Sequence, residues 1–207
     1  GFSESMKGQM SGDDTHSIFR VLTAAGLSED EVAAQMRTIE FVGQGTITTS
    51  LYFCISVLAL HPNVQEAIRR EPEAIDRFIA EVFRVLPPST DQGRIVTENL
   101  QIGNLAIPRG TKFTFCQYAL NRDPNHFLNP EKFDIDRPNL LHNPQLIPFS
   151  VGARDCPGKP LALRVTKLVI SRILEGYRIE AATKLESLDA LLKPFTLMAV
   201  RFYLRET

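Results

Sequence analysis

The segment Phe149-Ser150-Val151-Gly152-Ala153-Arg154-Asp155-Cys156-Pro157-Gly158 sets one cysteine between two glycines, two residues after an arginine and just ahead of an apolar run. Pro160 and the residues after it predict a helix from Pro160 to Glu175, stopped by Gly176. The amino end of that helix points back at Cys156, where unpaired N–H groups and the helix dipole favour a thiolate over a thiol. Arg154 offers a planar fork suited to a carboxylate. Gly152 and Gly158 leave the backbone open to close approach by a flat ligand. The bland alternative is a buried cysteine serving as a small apolar side chain in a turn. An anionic sulfur beside a carboxylate-binding arginine, on a glycine-lined loop, suits a haem with its propionates.

Working upstream, Asn121 to Pro148 is rich in Pro, Asn and Asp and has little periodicity. A structureless stretch of that length points to function or to an extended packed loop. Arg94 to Ala119 reads as short β-like runs with turns at Gly103-Asn104 and Pro108-Arg109-Gly110. Pro62 and Pro72 each mark the start of a helix, and the second helix runs to Leu86 before Pro87-Pro88 stops it. Ser28 and Glu31 form a capping box. It opens a stretch, Glu29 to His61, that no proline interrupts and that as a helix measures roughly 50 Å.

Within that helix Leu51 to Leu60 is apolar nearly all round and is expected to be buried on every side. Gly43 and Gly45 lie mid-helix, each at a cost of about 1 kcal/mol relative to alanine. Before it, Ile18 to Ala25 is a short apolar segment closed by Gly26, and Gly1 to Gly12 is rich in Gly, Ser and Met. At the other end, Phe195 to Leu204 alternates as a hairpin strand does. The expected class is mainly α with a small β component, with no internal repeat and no interdomain linker. Residues 1–27 are expected to form an N-terminal segment and short helix, and 28–207 the body of the domain.

Composition narrows the function classes. The 207 residues are 43% hydrophobic and 23% charged with a net charge of -1, so no positive field points to nucleic acid. No unbroken apolar run of about 18 residues is present, so no membrane segment is expected, and the start lacks the pattern of a signal peptide. The three cysteines, Cys54, Cys116 and Cys156, form neither a disulfide framework nor a zinc pattern, which leads to an expected cytoplasmic location.

The pattern Phe-x-x-Gly-x-Arg-x-Cys-x-Gly, followed by Leu161-Ala162, resembles the haem-binding loop of the cytochromes P450. The resemblance implies Cys156 as axial thiolate to the iron of haem b and Arg154 as a propionate contact, with Phe149, Gly152, Gly158 and Ala162 as further positions of the loop. Glu81-x-x-Arg84 resembles the family's Glu-x-x-Arg pair, which by itself could equally be a surface ion pair. Asn121-Arg122-Asp123-Pro124, Phe127, Pro130, Phe133-Asp134 and Arg137 resemble its meander loop, so Arg137 is the expected third member of a buried network with Glu81 and Arg84. Arg94 is implied as a second propionate contact.

The run Gly43-Gln44-Gly45-Thr46 aligns with the oxygen-binding kink of the family's long central helix, so a bend is expected there, with Thr46 facing bound dioxygen. A threonine that returns its hydroxyl to the backbone is the alternative. Many members carry an acid before this threonine and a second threonine after it; here Gly45 and Ile47 stand in those places.

The resemblance runs from about Ser28 to Arg205 in the family's order: long helix, Glu-x-x-Arg helix, meander, cysteine loop and following helix. It corresponds to the C-terminal half of a cytochrome P450 domain, with motifs of bacterial type, and implies the N-terminal half of the same fold as a partner. The implied activity is monooxygenation, the hydroxylation or epoxidation of a small organic substrate using dioxygen. Electrons would come from a ferredoxin- or flavodoxin-type donor and its reductase. Gly45 keeps open a different haem-thiolate reaction, as peroxygenase, nitric oxide reductase or oxidative coupling catalyst. A haem-free binding module is the third reading. Ser89 to Gly93 and Thr196 to Met198 are the expected substrate contacts.

Overall fold

A computed structural model describes residues 17–182, 188–192 and 202–206. Two helices begin it, the short α1 (Ile18–Ala24) and the long α2 (Glu29–Leu60). Gly26 adopts φ +80° between them, a left-handed conformation that glycine takes without the Cβ clash. The capping box forms: the Glu31 carboxylate accepts from the Ser28 amide at 2.8 Å and its hydroxyl at 2.7 Å. The Glu31 amide donates back to Ser28 Oγ at 3.4 Å.

Contacts divide the chain into two units, Gly1–Thr46 and Ile47–Thr207, and the division falls inside α2. The second unit holds α3 (Pro62–Arg70), α4 (Ala74–Val85), β1 (Asp91–Ile95), β2 (Leu100–Ile102), β3 (Leu105–Ile107) and β4 (Lys112–Cys116). These are followed by α5 (Gln117–Leu120), α6 (Lys159–Gly176), β5 (Tyr177–Ala181) and β6 (Phe202–Glu206). Pro62 opens α3 at its first turn, whereas Pro72 lies in a turn ahead of α4, with the Ala74 amide donating to Glu71 O at 2.9 Å.

The core of this unit gathers one apolar face from each helix. Phe53, Cys54, Val57 and Leu58 come from α2, Ile75, Phe78, Ile79 and Val82 from α4, and Ile170 and Leu174 from α6. Burying side chains of this size is worth about 1.5–3 kcal/mol each. One polar residue ties the layers. Gln65 is buried, donates to Leu58 O at 2.8 Å and Ile179 O at 2.9 Å, and accepts from the Ile179 amide at 3.0 Å. From α3 its amide thus satisfies backbone groups of two other elements, α2 and β5.

By length and mean hydropathy (1.3 over 18 residues) α2 is also apolar enough to cross a membrane, which a search for unbroken apolar runs does not register. Its C-terminal half is taken up by the core just described.

The small β component is three antiparallel pairs: β1 with β4, β2 with β3, and β5 with β6. The β2–β3 turn uses Gly103 at φ +57°. The expected hairpin strand, Phe195 to Leu204, falls only in its last part among the described residues. That part lies in β6, which pairs antiparallel with Tyr177–Ala181, the strand that directly follows α6. Residues 195–201 lie outside the described residues, as does the Gly1–Gly12 segment.

His61 ends α2 and stacks on Phe133, with ring centroids 5.0 Å apart and planes inclined by 28°. Burial disfavours its charged form, so its pKa is lowered from the ordinary 6.5. The unfolded chain then binds the proton more readily. The stability held by neutral His61 is full above about pH 6.5 and is lost as the pH falls toward the lower folded value. His61→Phe is expected to flatten this acid limb in thermal melts across that range; an unchanged acid limb would contradict it.

Candidate functional site

The cysteine loop is closed by its own backbone. The Cys156 amide donates to Phe149 O at 2.8 Å, and the Ser150 amide donates to Ile147 O at 3.0 Å. Two left-handed residues, Ser150 at φ 62° and Gly152 at φ 74°, let the chain reverse between them. A short 3-10 turn, Gly152–Arg154, follows, and α6 starts at Lys159, three residues past the cysteine. Cys156 is exposed, so the bland reading of it as a buried apolar filler does not hold. A Cβ on Gly158 would stand 3.7 Å from Cys156 Sγ, in ordinary contact, so a side chain there would project beside the sulfur. Val151 and Leu161 flank the loop and are exposed by 61% and 60%.

Phe149 anchors the loop to α4 through an edge contact with Phe83, at 5.7 Å and 72°. The ring of Phe149 also lies 5.9 Å from Lys159 Nζ. Arg94 reaches the loop from β1, donating to Ser150 Oγ at 3.4 Å, to Gly93 O at 2.9 Å and to Gln92 Oε1 at 3.2 Å. Arg154 is exposed and forms no ion pair among the described residues. Ala162 sits in the first turn of α6, its amide bonded to Gly158 O at 2.8 Å.

Glu81, Arg84 and Arg137 meet in one buried cluster, with exposures of 0%, 0% and 8%. Arg84 grips the Glu81 carboxylate with two bonds of 2.8 Å. Arg137 donates to the same two oxygens at 3.2 and 3.3 Å. The remaining donors go to meander carbonyls. Arg84 donates to Asn121 O at 2.9 Å, Pro130 O at 2.7 Å and Lys132 O at 3.1 Å. Arg137 donates to Lys132 O at 2.8 Å and to Leu128 O. Glu81 Oε1 also accepts the Asp134 amide at 3.0 Å. A buried charge set persists when its donors and acceptors are met in this way, and here they hold an irregular segment that has no ladder of its own.

Thr46 belongs to the first unit. The helix is continuous through Gly43, Gln44, Gly45 and Thr46, where a bend is expected from the resemblance. The Thr46 hydroxyl donates to Val42 O at 2.8 Å, the back-bond that serves as the alternative reading. Ser89 to Gly93 run into β1, while Thr196 to Met198 lie outside the described residues. A groove of about 790 Å³ includes neither segment; its walls include Phe83, Phe149, Val151, Lys159, Leu163 and Lys167.

Two bracing residues escaped the sequence reading: Gln65 and Gln117. Their buried amides carry no pattern of spacing, so nothing in the sequence marks them.

The donor set can be tested against a haem. Among the described residues, no group of three or more His, Cys, Asp or Glu side chains could hold a metal ion. A porphyrin brings four nitrogen ligands of its own and asks the protein for a single axial one, which Cys156 can supply. An exposed thiol, apolar neighbours at Val151 and Leu161, and two arginines fit an iron porphyrin with propionates.

Comparison with known proteins agrees. The profile of the family described as Cytochrome P450 matches residues 13–204. The chain belongs to the cytochrome P450 family. Cytochrome P450 4d2 of Drosophila melanogaster is 30% identical over 183 residues, covering 76% of this chain and 36% of that protein. Thromboxane-A synthase of Rattus norvegicus is 31% identical over 210 residues, covering 87% and 39%. Among solved structures, retinoic acid-bound cyanobacterial CYP120A1 aligns with a TM-score of 0.77 at 25% identity, covering 87% of this chain and 47% of that one. Mycobacterium marinum CYP150A6 aligns at 0.67 and 30%, covering 72% and 36%. The chain thus spans between a third and two-fifths of the length of these curated relatives. The fold is that of a cytochrome P450, and membership implies haem b as cofactor.

Proposed function

We propose that the intact protein is a haem-thiolate monooxygenase acting on a small organic substrate, fed by an electron donor of ferredoxin or flavodoxin type. The observation that carries this reading is Cys156: an exposed thiol, on a loop fixed at Phe149 and set just ahead of α6. When bound, haem b supplies the activation of dioxygen. Cys156 would bind the iron through Sγ, and Arg154 and Arg94 would pair with the propionates. Gly152 and Gly158 would leave room for the ring, which Phe149 and Ala162 would border. The test is turnover with a donor and isotopically labelled dioxygen: one labelled oxygen atom in the product supports the reading, and unlabelled product contradicts it.

Gly45 favours a second reading, a haem-thiolate reaction that does not need the usual acid and alcohol. Gln44 can orient a water but has no acidic proton to give, and the Thr46 hydroxyl is already donated to Val42 O. Poor coupling of electrons to product is therefore expected, with hydrogen peroxide released. A Cβ at Gly45 meets nothing within 4 Å among the described residues, so Gly45→Glu introduces no clash at its first side-chain atom. Replacing the helical glycine is also favourable by about 0.5–1 kcal/mol. It is expected to raise product formed per electron consumed; tight coupling in the unaltered protein would contradict the reading. Activity with peroxide or nitric oxide and none with dioxygen would put the second reading first.

A further inference from the structure

We infer that Gln117 is a positioning residue for the cysteine loop, holding it in register with the strand that carries Arg94; the inference rests on the haem-thiolate reading of Cys156. Gln117 follows β4 directly, and β4 pairs with β1 so that Phe113 faces Arg94 and Cys116 faces Asp91. The side chain is 2% exposed, and its Nε2 donates to Ile147 O at 2.7 Å. Among the described residues its Oε1 accepts no hydrogen bond, and the amide is held there at its nitrogen end.

Ile147 O is the pivot of the loop. It also accepts the Ser150 amide at 3.0 Å, and Ser150 is a non-glycine residue in the left-handed region, at φ 62°. Such a conformation costs of order 1–3 kcal/mol and persists where neighbouring bonds enforce it. Gln117 supplies one of these bonds from outside the loop. The residues that this turn orients are Phe149, whose carbonyl holds the Cys156 amide, and Ser150, which Arg94 reaches. The β1–β4 ribbon therefore meets the loop at two points, Gln117 to Ile147 and Arg94 to Ser150. A shift of the first would move the sulfur relative to the arginine.

The neighbouring turn of α5 repeats the arrangement toward α4. Asn121 is fully buried and donates to Phe83 O at 3.4 Å, and its Oδ1 has no partner among the described residues. Phe83 is the residue whose ring meets Phe149. Through Gln117 and Asn121, α5 links the ribbon, the loop and the helix of the buried charge cluster.

The experiment uses the haem-loaded holoprotein and two variants, read by the absorbance of the reduced carbon monoxide complex. Gln117→Met keeps the volume and removes the donor. A lost hydrogen bond of about 0.5–1.5 kcal/mol predicts a shift of roughly two- to tenfold toward haem without thiolate ligation, at comparable haem content. Gln117→Glu can donate to Ile147 O only when protonated, so its thiolate-ligated share is expected to fall as the pH rises, a trend that the unaltered protein does not share. An unchanged ratio in Gln117→Met, or loss of haem and heat stability with the remaining haem spectrally unaltered, overturns the inference, as does a Gln117→Glu share independent of pH. Absence of the thiolate spectrum from the unaltered protein overturns the haem-thiolate reading itself, and this inference with it.

Discussion

Glu81→Ala is expected to cost about 3–5 kcal/mol of stability, the range found when one partner leaves a buried charged set. The magnitude follows from what stays behind. Arg84 and Arg137 would keep their positive charges, almost fully excluded from water, with only carbonyl oxygens to face them. The Asp134 amide would lose its acceptor as well. Most domains are stable by only 5–15 kcal/mol, so the variant should accumulate as misfolded, haem-poor protein. Lys167→Ala is the contrast. The Lys167–Asp76 pair is as short, 2.8 Å, but each side chain is 47% exposed, and its loss should cost no more than about 1 kcal/mol. Haem content and thermal melts of the two variants measure the difference. A folded, haem-loaded Glu81→Ala protein would contradict the bracing role.

Cys156→Ala is expected to abolish the thiolate spectrum and, with it, oxygenation. Neither of the other cysteines can take over. Burial pushes the Cys54 thiol well above its ordinary range, so it remains protonated inside the core. Cys116 is exposed, but it closes β4 opposite Asp91, where the ribbon fixes it. Cys116→Ala should leave the spectrum intact. A Cys156→Ala protein that keeps a thiolate spectrum would place the iron elsewhere.

The parts of this molecule written in short-range chemistry were legible in the sequence. Proline and glycine bounded the helices, the Ser28–Glu31 box opened α2, and Glu81, Arg84 and Arg137 could be grouped through family resemblance. What stayed hidden depends on tertiary partners. The C-terminal strand alternates as a hairpin strand does, yet its partner is Tyr177–Ala181, a choice that alternation cannot encode. Thr46 could bond its own helix or a ligand, and its sequence neighbours permit either. Gln65 and Gln117 sit in segments whose composition marks them only as polar, and Asn121 stands in the meander pattern with no bracing role read for it. Their importance arises from the carbonyls they reach, at Leu58, Ile147 and Phe83.

The claim on which the rest depends is ligation of haem iron by Cys156. The absorbance spectrum of the reduced, carbon monoxide-bound holoprotein tests it most directly. The band typical of thiolate ligation is the predicted result, lost in Cys156→Ala and kept in Cys116→Ala. A band typical of histidine ligation, or failure to take up haem, would contradict it.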